Sequence, residues 1–423
     1  MRTRLSILCT AVFLLARLGF AQESPQPPPL PTQGEEVAQF AAVDRWMQEF
    51  ITANKIPGGS LAIARDGEVK LARGYGYADR DALTPVAPDA LFRIASVSKP
   101  ITAVAILKLA EAGKLKLDDA IVDVLGIRPT APRADYDPWW NRATLRHLLT
   151  HTGGWDRNRS GDPMFMDLET VTGVGAVLPL THRQLIDFQL LRNLDYAPGQ
   201  RYAYSNFGYC LLGRAIERAS GQSYEQYVKE QVFAPLGIKA ARIGGSLASQ
   251  RDDKEVMYYT FDDSRDAAVV GPEIDKEPVP TQYGGWNQEL LDSHGGWIAS
   301  SIDLVRFGSA LDELPDGSTR GKLLRGRTVR EMFTAQVGFD ASADTTFPGY
   351  GHGWAVTKLD DTPLVCHSGA LSCTAAILCR LGDRVWFAAL FNLGRTSDDN
   401  WLANGLEREL GTRIRDAKGS NAE

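Results

Sequence analysis

The stretch Phe92-Arg93-Ile94-Ala95-Ser96-Val97-Ser98-Lys99-Pro100 runs straight into the apolar segment Ile101 to Ala110. Between Ile101 and Ala112 the only charge before Glu111 is Lys108, so the spacing predicts a helix buried nearly all round. Ser96 and Lys99 then stand at its mouth as S-x-x-K. Side chains three apart on a helix share one face, so the Lys99 amine can reach the Ser96 hydroxyl unaided. An amine that takes a proton from a serine makes a nucleophile, and this spacing is a catalytic motif in several hydrolases. Taken alone it also fits an ordinary surface helix carrying a Ser and a Lys. Pro100 is tolerable, because first-turn N–H groups lack intrahelical partners, although it biases Lys99 away from helical geometry.

Outward from that helix, the ends of the chain read as strands and the middle as helices. Gly59 to Ala64, then Arg65-Asp66-Gly67-Glu68, then Val69 to Tyr77 is a hairpin pattern around Asp-Gly. Thr374 to Leu381, Gly382-Asp383 and Arg384 to Asn392 repeat it. Helical patterns cover Leu145 to Thr150, Thr181 to Leu194, Phe207 to Ala219, Tyr224 to Val232 and Ser300 to Leu314. The expectation is an α/β (α+β) fold with one antiparallel sheet assembled from both ends. Arg128 to Asn141, Trp155 to Gly175 and much of Gly244 to Asn287 read as long loops that rim a pocket.

Three further stretches join Ser96 and Lys99. Pro198-Gly199-Gln200-Arg201-Tyr202-Ala203-Tyr204-Ser205-Asn206 puts a phenol and an amide at a helix start. His367-Ser368-Gly369-Ala370 precedes the second hairpin, and Leu145-Arg146-His147-Leu148-Leu149-Thr150-His151-Thr152-Gly153-Gly154 lies between. With S-x-x-K, Y-x-N at Tyr204, H-x-G at His367 and L-L-T-H-T-G-G in this order, the chain resembles serine hydrolases of the class C β-lactamase, D,D-carboxypeptidase and family VIII esterase type. Gly295 to Phe307 and Tyr350-Gly351-His352-Gly353-Trp354 also look like that group's stretches. The resemblance implies a β-lactamase/transpeptidase-like fold, an antiparallel sheet flanked by helices plus an inserted all-helical region, with the site in the cleft between. It places a hydrolase domain at 37–412, with sheet from 55–95 and 290–410, helices about 100–240, and a tail at 413–423.

The chemistry stands on the residues. A serine hydroxyl is a poor nucleophile until a neighbour takes its proton. Lys99 must therefore spend time neutral, its pKa lowered from ~10.4 by burial or a second cation. Bringing it to about 7 disfavours the charged form by roughly 4 to 5 kcal/mol. The resemblance implies that Tyr204 shares the base role and protonates the leaving group, and that Asn206 orients the lysine or the acyl amide. Two donors are needed for an oxyanion: the Ser96 N–H is one, and by analogy the Ala370 N–H after Gly369 is the other. His367 replaces a lysine usual in dedicated β-lactamases, which removes a permanent charge from the pocket wall. His147 and His151 read as structural. Trp139, Trp140 and Trp155 line the pocket or pack in the core. Position 204 is Tyr, and neither S-D-N nor a suitably placed deacylating Glu is found, which disfavours class A.

Composition bounds the rest. The 423 residues carry a net charge of -6, which offers no basic excess for nucleic acid. Met1-Arg2-Thr3-Arg4 followed by mostly apolar Leu5 to Phe20 and Gly19-Phe20-Ala21 reads as a signal peptide over 1–21, with an uncleaved anchor over 5–20 as the alternative. A proline-rich linker over 22–36 follows; its part from Ser24 to Gly34 reads as a flexible tether. Export to the periplasm or beyond is an oxidising setting for Cys210, Cys366, Cys373 and Cys379. Cys366 can pair with Cys373 or Cys379, or all four stay buried thiols. No zinc-ligand spacing occurs, and no metal or organic cofactor is expected. The functional expectation is an exported esterase or D-amino-acid peptidase working through an acyl-enzyme on a small ester, peptide or β-lactam, without stable membrane insertion. A class C type β-lactamase and a catalytically silent binding protein are the alternatives.

Overall fold

The computed structural model describes residues 29–127, 136–338 and 349–417. Its main sheet contains β1 (Thr32–Gln33), β2 (Gly58–Arg65), β3 (Glu68–Asp79), β4 (Ala355–Leu359), β5 (Thr362–Leu371), β6 (Thr374–Leu381) and β7 (Val385–Phe391). Their spatial order is β1-β3-β2-β7-β6-β5-β4, antiparallel throughout, so strands from both ends of the chain meet at β2 and β7. The two-residue strands Gly349–Tyr350 and Val337–Gly338 continue it beyond β4. Asp66 and Gly67 both take positive φ, 54° and 83°, as the type I′ turn between β2 and β3 requires.

Strand periodicity gives the sheet two buried faces. Leu61, Ile63, Ile377, Leu381, Phe387 and Ala389 point to one core, while Ala62, Ala64, Ala376, Leu378, Trp386 and Ala388 point to the other. The first core is closed by α1 (Ala41–Ala53) and by a C-terminal helix, Leu406–Asp416, that buries Leu406, Leu410 and Ile414 at four-residue spacing. On the second side lie α2 (Ser98–Glu111), α3 (Asn206–Ser220) and α4 (Ser301–Ser309). The antiparallel sheet with helices expected from the sequence is therefore present. In α2 every residue from Ser98 to Leu107, and Leu109, is buried, as its near-chargeless sequence demands. It begins at Ser98, so Lys99 is helical despite the preference that Pro100 imposes.

Several boundaries differ from the reading of the sequence. Thr32–Gln33 pairs with Tyr75 and Gly74 at the edge of β3, so the end of the proline-rich linker is part of the sheet. The C-terminal helix runs through 413, into the segment read as a tail. Trp155 to Gly175 is not one loop: it contains the helices Arg157–Ser160 and Asp167–Val174, because Asp156 accepts from the Asn158 N–H and caps the first. The long 244–287 segment is mostly irregular, but it is pinned: Arg93 donates to Gln282 O at 2.8 Å and Gly245 O at 2.9 Å and stacks on Tyr258. Trp140 and Trp155 pack edge-to-face in the core with Phe207. The segment 1–21 read as a signal peptide, residues 22–28 of the expected linker and residues 128–135 of the predicted loop lie outside the described residues.

Candidate active site

Ser96 sits in a tight 3-10 turn, Ala95–Val97, immediately before α2. Two contacts fix that turn. Phe92–Arg93 pairs with Trp297–Ala299, and Ile94 N–H donates to Trp297 O at 3.0 Å. Ala95 has φ 43°, a left-handed conformation that costs a non-glycine residue about 1–3 kcal/mol. From Leu91 to Pro100 every residue is buried except Ser96, which is partly exposed. The strained turn thus presents one hydroxyl at the surface of an otherwise closed core.

Lys99 is 0 % exposed and its amine has three neighbours: Ser96 Oγ at 3.0 Å, Asn206 Oδ1 at 2.7 Å and His294 O at 2.9 Å. Asn206 Nδ2 donates to Asp162 Oδ2 at 2.6 Å, which settles the amide orientation and aims its oxygen at the lysine. Two fixed acceptors, Asn206 Oδ1 and His294 O, therefore hold the amine against the Ser96 hydroxyl. Burial holds the Lys99 pKa well below its usual value; the Arg157 cation pushes the same way and Asp162 opposes it. The carbonyl of His294 is held in place by α2 itself, since Thr102 Oγ1 donates to Ser293 O at 2.6 Å.

Tyr204 lies on the segment entering α3. Lys99 Nζ is 4.8 Å from its ring centroid, and the Arg157 guanidinium is 4.6 Å from the same centroid. Desolvation pushes the phenol up to about 12, with Arg157 and a hydrogen bond to Ser96 acting against it. At neutral pH the phenol keeps its proton unless a neighbour takes it. The geometry thus brings an alcohol, an amine of lowered pKa and a protonated phenol together, groups that can pass a proton to and from a serine oxygen.

Gly369 faces Ser96 from β5. A Cβ at 369 would lie 2.2 Å from Ile94 O and 2.9 Å from Ser96 N, so only glycine allows the strand to approach the Ser96 amide this closely. Ala370 follows at the partly exposed end of β5. His367 departs from the expectation for a pocket wall. It is 5 % exposed and bonded on both ring nitrogens, to Tyr350 Oη at 2.9 Å and Ser368 O at 2.7 Å. Burial drives its pKa down to about 3, helped by Lys99. The ring is neutral because it is inside the protein.

His151 completes that chain. Ser205 N–H donates to its Nδ1 at 3.1 Å, so the ring proton is on Nε2, which donates to Tyr350 Oη at 3.2 Å. The Tyr350 hydroxyl then donates to His367 Nε2, and His367 Nδ1–H to Ser368 O. Ala203 N–H also bonds His151 O at 2.8 Å, so His151 holds the chain on both sides of Tyr204, with the two rings 4.2 Å apart. His147 caps its own helix instead, through Thr144.

The sequence matches a family described as Beta-lactamase over residues 43–411. The chain belongs to the beta-lactamase family. Among similar members of this family of serine hydrolases, Esterase EstB of Burkholderia gladioli is 29% identical over 350 residues, covering 77% of this chain and 82% of that protein. Penicillin-binding protein 4 of Amycolatopsis lactamdurans is 27% identical over 338 residues, covering 77% and 78%. A penicillin-binding protein of Bacillus subtilis is 28% identical, but there the chain spans only 52% of the relative's length. In three dimensions the chain is similar to the D-amino acid amidase of Ochrobactrum anthropi SV3, with a TM-score of 0.67 at 22% identity over 90% of this chain and 100% of that one. That likeness is one of fold.

Sequence reasoning had grouped Ser96, Lys99, Tyr204, Asn206, His367, Gly369 and Ala370. It missed Arg157, Asp162, Tyr350 and the role of His151. Arg157 and Asp162 fall in a segment without periodicity, and Asp162 gives only the signal of a cap before Pro163. Tyr350 and His151 sat within quoted motifs, but nothing in one dimension joins them to Ser205.

Proposed function

We propose that the chain is a serine hydrolase that acylates Ser96 with a small ester or amide and then hydrolyses the acyl-enzyme. The supporting observation is the buried amine of Lys99, held by Asn206 Oδ1 and His294 O and 3.0 Å from Ser96 Oγ, with its pKa lowered by burial. As Ser96 Oγ attacks the substrate carbonyl, its proton passes to Lys99, and Tyr204 delivers a proton to the leaving alkoxide or amine. The Ser96 N–H and the Ala370 N–H serve the developing oxyanion. A water deprotonated by the same pair then releases the acid.

Among substrates we favour carboxylic esters and D-amino-acid amides or peptides over β-lactams. EstB is an esterase by name and the Ochrobactrum protein an amidase, and the third motif carries a buried neutral His367 where a permanent cation would hold a β-lactam carboxylate. We also favour export, from the leader pattern at the N-terminus; among the described residues no helix is long and apolar enough to cross a membrane.

Mass measurement after incubation with a fluorophosphonate or penicillin tests the reading. One adduct that disappears in Ser96→Ala is expected; no adduct under any condition would favour a silent binding protein. Rates on p-nitrophenyl butyrate, nitrocefin and a D-Ala-D-Ala peptide then rank the substrates, and much faster nitrocefin turnover would make the β-lactamase reading the better one.

A further inference from the structure

β5 and β6 are paired so that Cys366 stands directly opposite Cys379. Both side chains are buried, at 1 % and 0 % exposure, on the face that packs Leu364, Ile377, Leu381 and Phe387 beneath the C-terminal helix. Both are free thiols in this structure. Opposed residues of an antiparallel pair have Cα atoms about 4.5–5.5 Å apart, within the roughly 4.4–6.8 Å that a disulfide spans.

The other cysteines do not fit. Cys373 lies beyond the end of β5, six residues before Cys379, which stands at the level of Cys366, or about 20 Å away at strand rise. It also belongs to the opposite core, with its sulfur 3.9 Å from Arg93 Nη1. Cys210 is inside α3 in that same opposite core. Of the two pairings left open by the sequence, the fold allows Cys366 with Cys379 and forbids Cys366 with Cys373.

We propose that Cys366 and Cys379 are a cross-strand disulfide site, closed by thiol–disulfide exchange when the chain folds in the presence of a small-molecule or protein disulfide donor. The Cys366 thiolate attacks the donor S–S bond, forming a mixed disulfide and expelling one donor thiolate. The Cys379 thiolate then attacks the Cys366 sulfur, the intramolecular bond forms, and the second donor thiolate leaves. Two cysteine thiols are oxidised, one donor disulfide is reduced to two thiols, and the cysteine protons end on those thiols. In the finished fold both sulfurs are sealed from solvent, so exchange occurs before the Leu406–Asp416 helix docks. The bond would pin β5 to β6 next to His367, three residues from the glycine that approaches Ser96. This site does not depend on the proposed hydrolase activity.

The test unfolds and reduces the full chain, refolds it with oxidised and reduced glutathione or with dithiothreitol, alkylates under denaturing conditions and weighs the intact protein. Oxidative refolding is expected to leave two fewer alkylated thiols than reductive refolding, a difference abolished in Cys366→Ser and Cys379→Ser but kept in Cys373→Ser and Cys210→Ser. Should the serine variants not fold, chymotryptic cleavage of the wild type after Leu371 and Leu378 separates all three cysteines, and the cross-linked mass identifies the pair. The oxidised protein is also expected to melt several degrees higher than the reduced one. Complete alkylation after oxidative refolding, glutathione adducts without an internal bond, or a link involving Cys373 would each overturn the proposal.

Discussion

The two sides of the sheet are equally buried but filled differently. Beneath α1 and the C-terminal helix the core is Met47, Ile51, Leu61, Ile63, Phe387, Leu410 and their like, with the Arg73–Asp44 pair at 3.0 Å near the rim. Around α2, apolar side chains share the interior with buried Ser98, Lys99, Thr102, Asn206, Ser293 and His294. Apolar burial contributes roughly 1.5–3 kcal/mol per large side chain with no directional demand. A buried polar group costs free energy unless partnered. Part of the polar side is tolerated because its groups bond in series, Asp162 to Asn206 to Lys99 and Ser205 to His151 to Tyr350 to His367, whereas Ser293 Oγ and His294 Nε2 have no hydrogen-bond partner. One side holds the fold together; the other is arranged for proton transfer.

The contrast can be broken most sharply at Lys99. Lys99→Met is expected to lower kcat/KM on p-nitrophenyl butyrate by at least ~10³-fold while Tm stays level or rises. The sign follows from linkage: the unfolded chain keeps the lysine proton up to about pH 10.4 and the folded chain does not, so the buried amine subtracts stability at neutral pH. A large fall in Tm would show that Lys99 is structural. Tyr204→Phe removes the phenolic proton alone and is expected to reduce kcat by about 10²–10³-fold with Tm unchanged; stopped-flow acylation and steady-state rates would check it.

Leu410→Ala probes the opposite side. It is expected to cost about 2–4 kcal/mol in chemical denaturation while kcat stays within twofold, and a selective loss of kcat would dissolve the distinction between the two sides. His151→Phe keeps an aromatic ring but removes the bonds to Ser205 and Tyr350, so kcat should fall by about 10-fold to 100-fold, with the Ser96 adduct still forming slowly. Arg157→Gln is the mildest change. Activity requires neutral Lys99 and therefore rises with pH through its lowered pKa. Arg157 helps hold that pKa down, so its removal is expected to move the acidic limb of kcat/KM to higher pH. An unmoved limb would assign Arg157 to stacking on Tyr204 alone.

Much of this arrangement was legible before any coordinates. Asp66-Gly67 carried its hairpin because two successive positive φ angles suit few other pairs, and the all-apolar helix after Pro100 had to be buried. S-x-x-K worked because both residues lie within one turn of chain. The helices at 157–160 and 167–174 were missed because they span only one or two turns, the first held by the Asp156 cap rather than by an apolar period.

The sequence by itself determined the antiparallel sheet assembled from both ends, the buried helix and the Ser96–Lys99 contact, since each rests on local patterning or on residues three positions apart. Only the tertiary structure decided that Asp162 turns the Asn206 amide toward Lys99, that His367 lies inside the wall, and that Cys366 meets Cys379. Those outcomes depend on bonds between residues from 13 to 107 positions apart, and directional contacts over such separations leave no period in the chain to read.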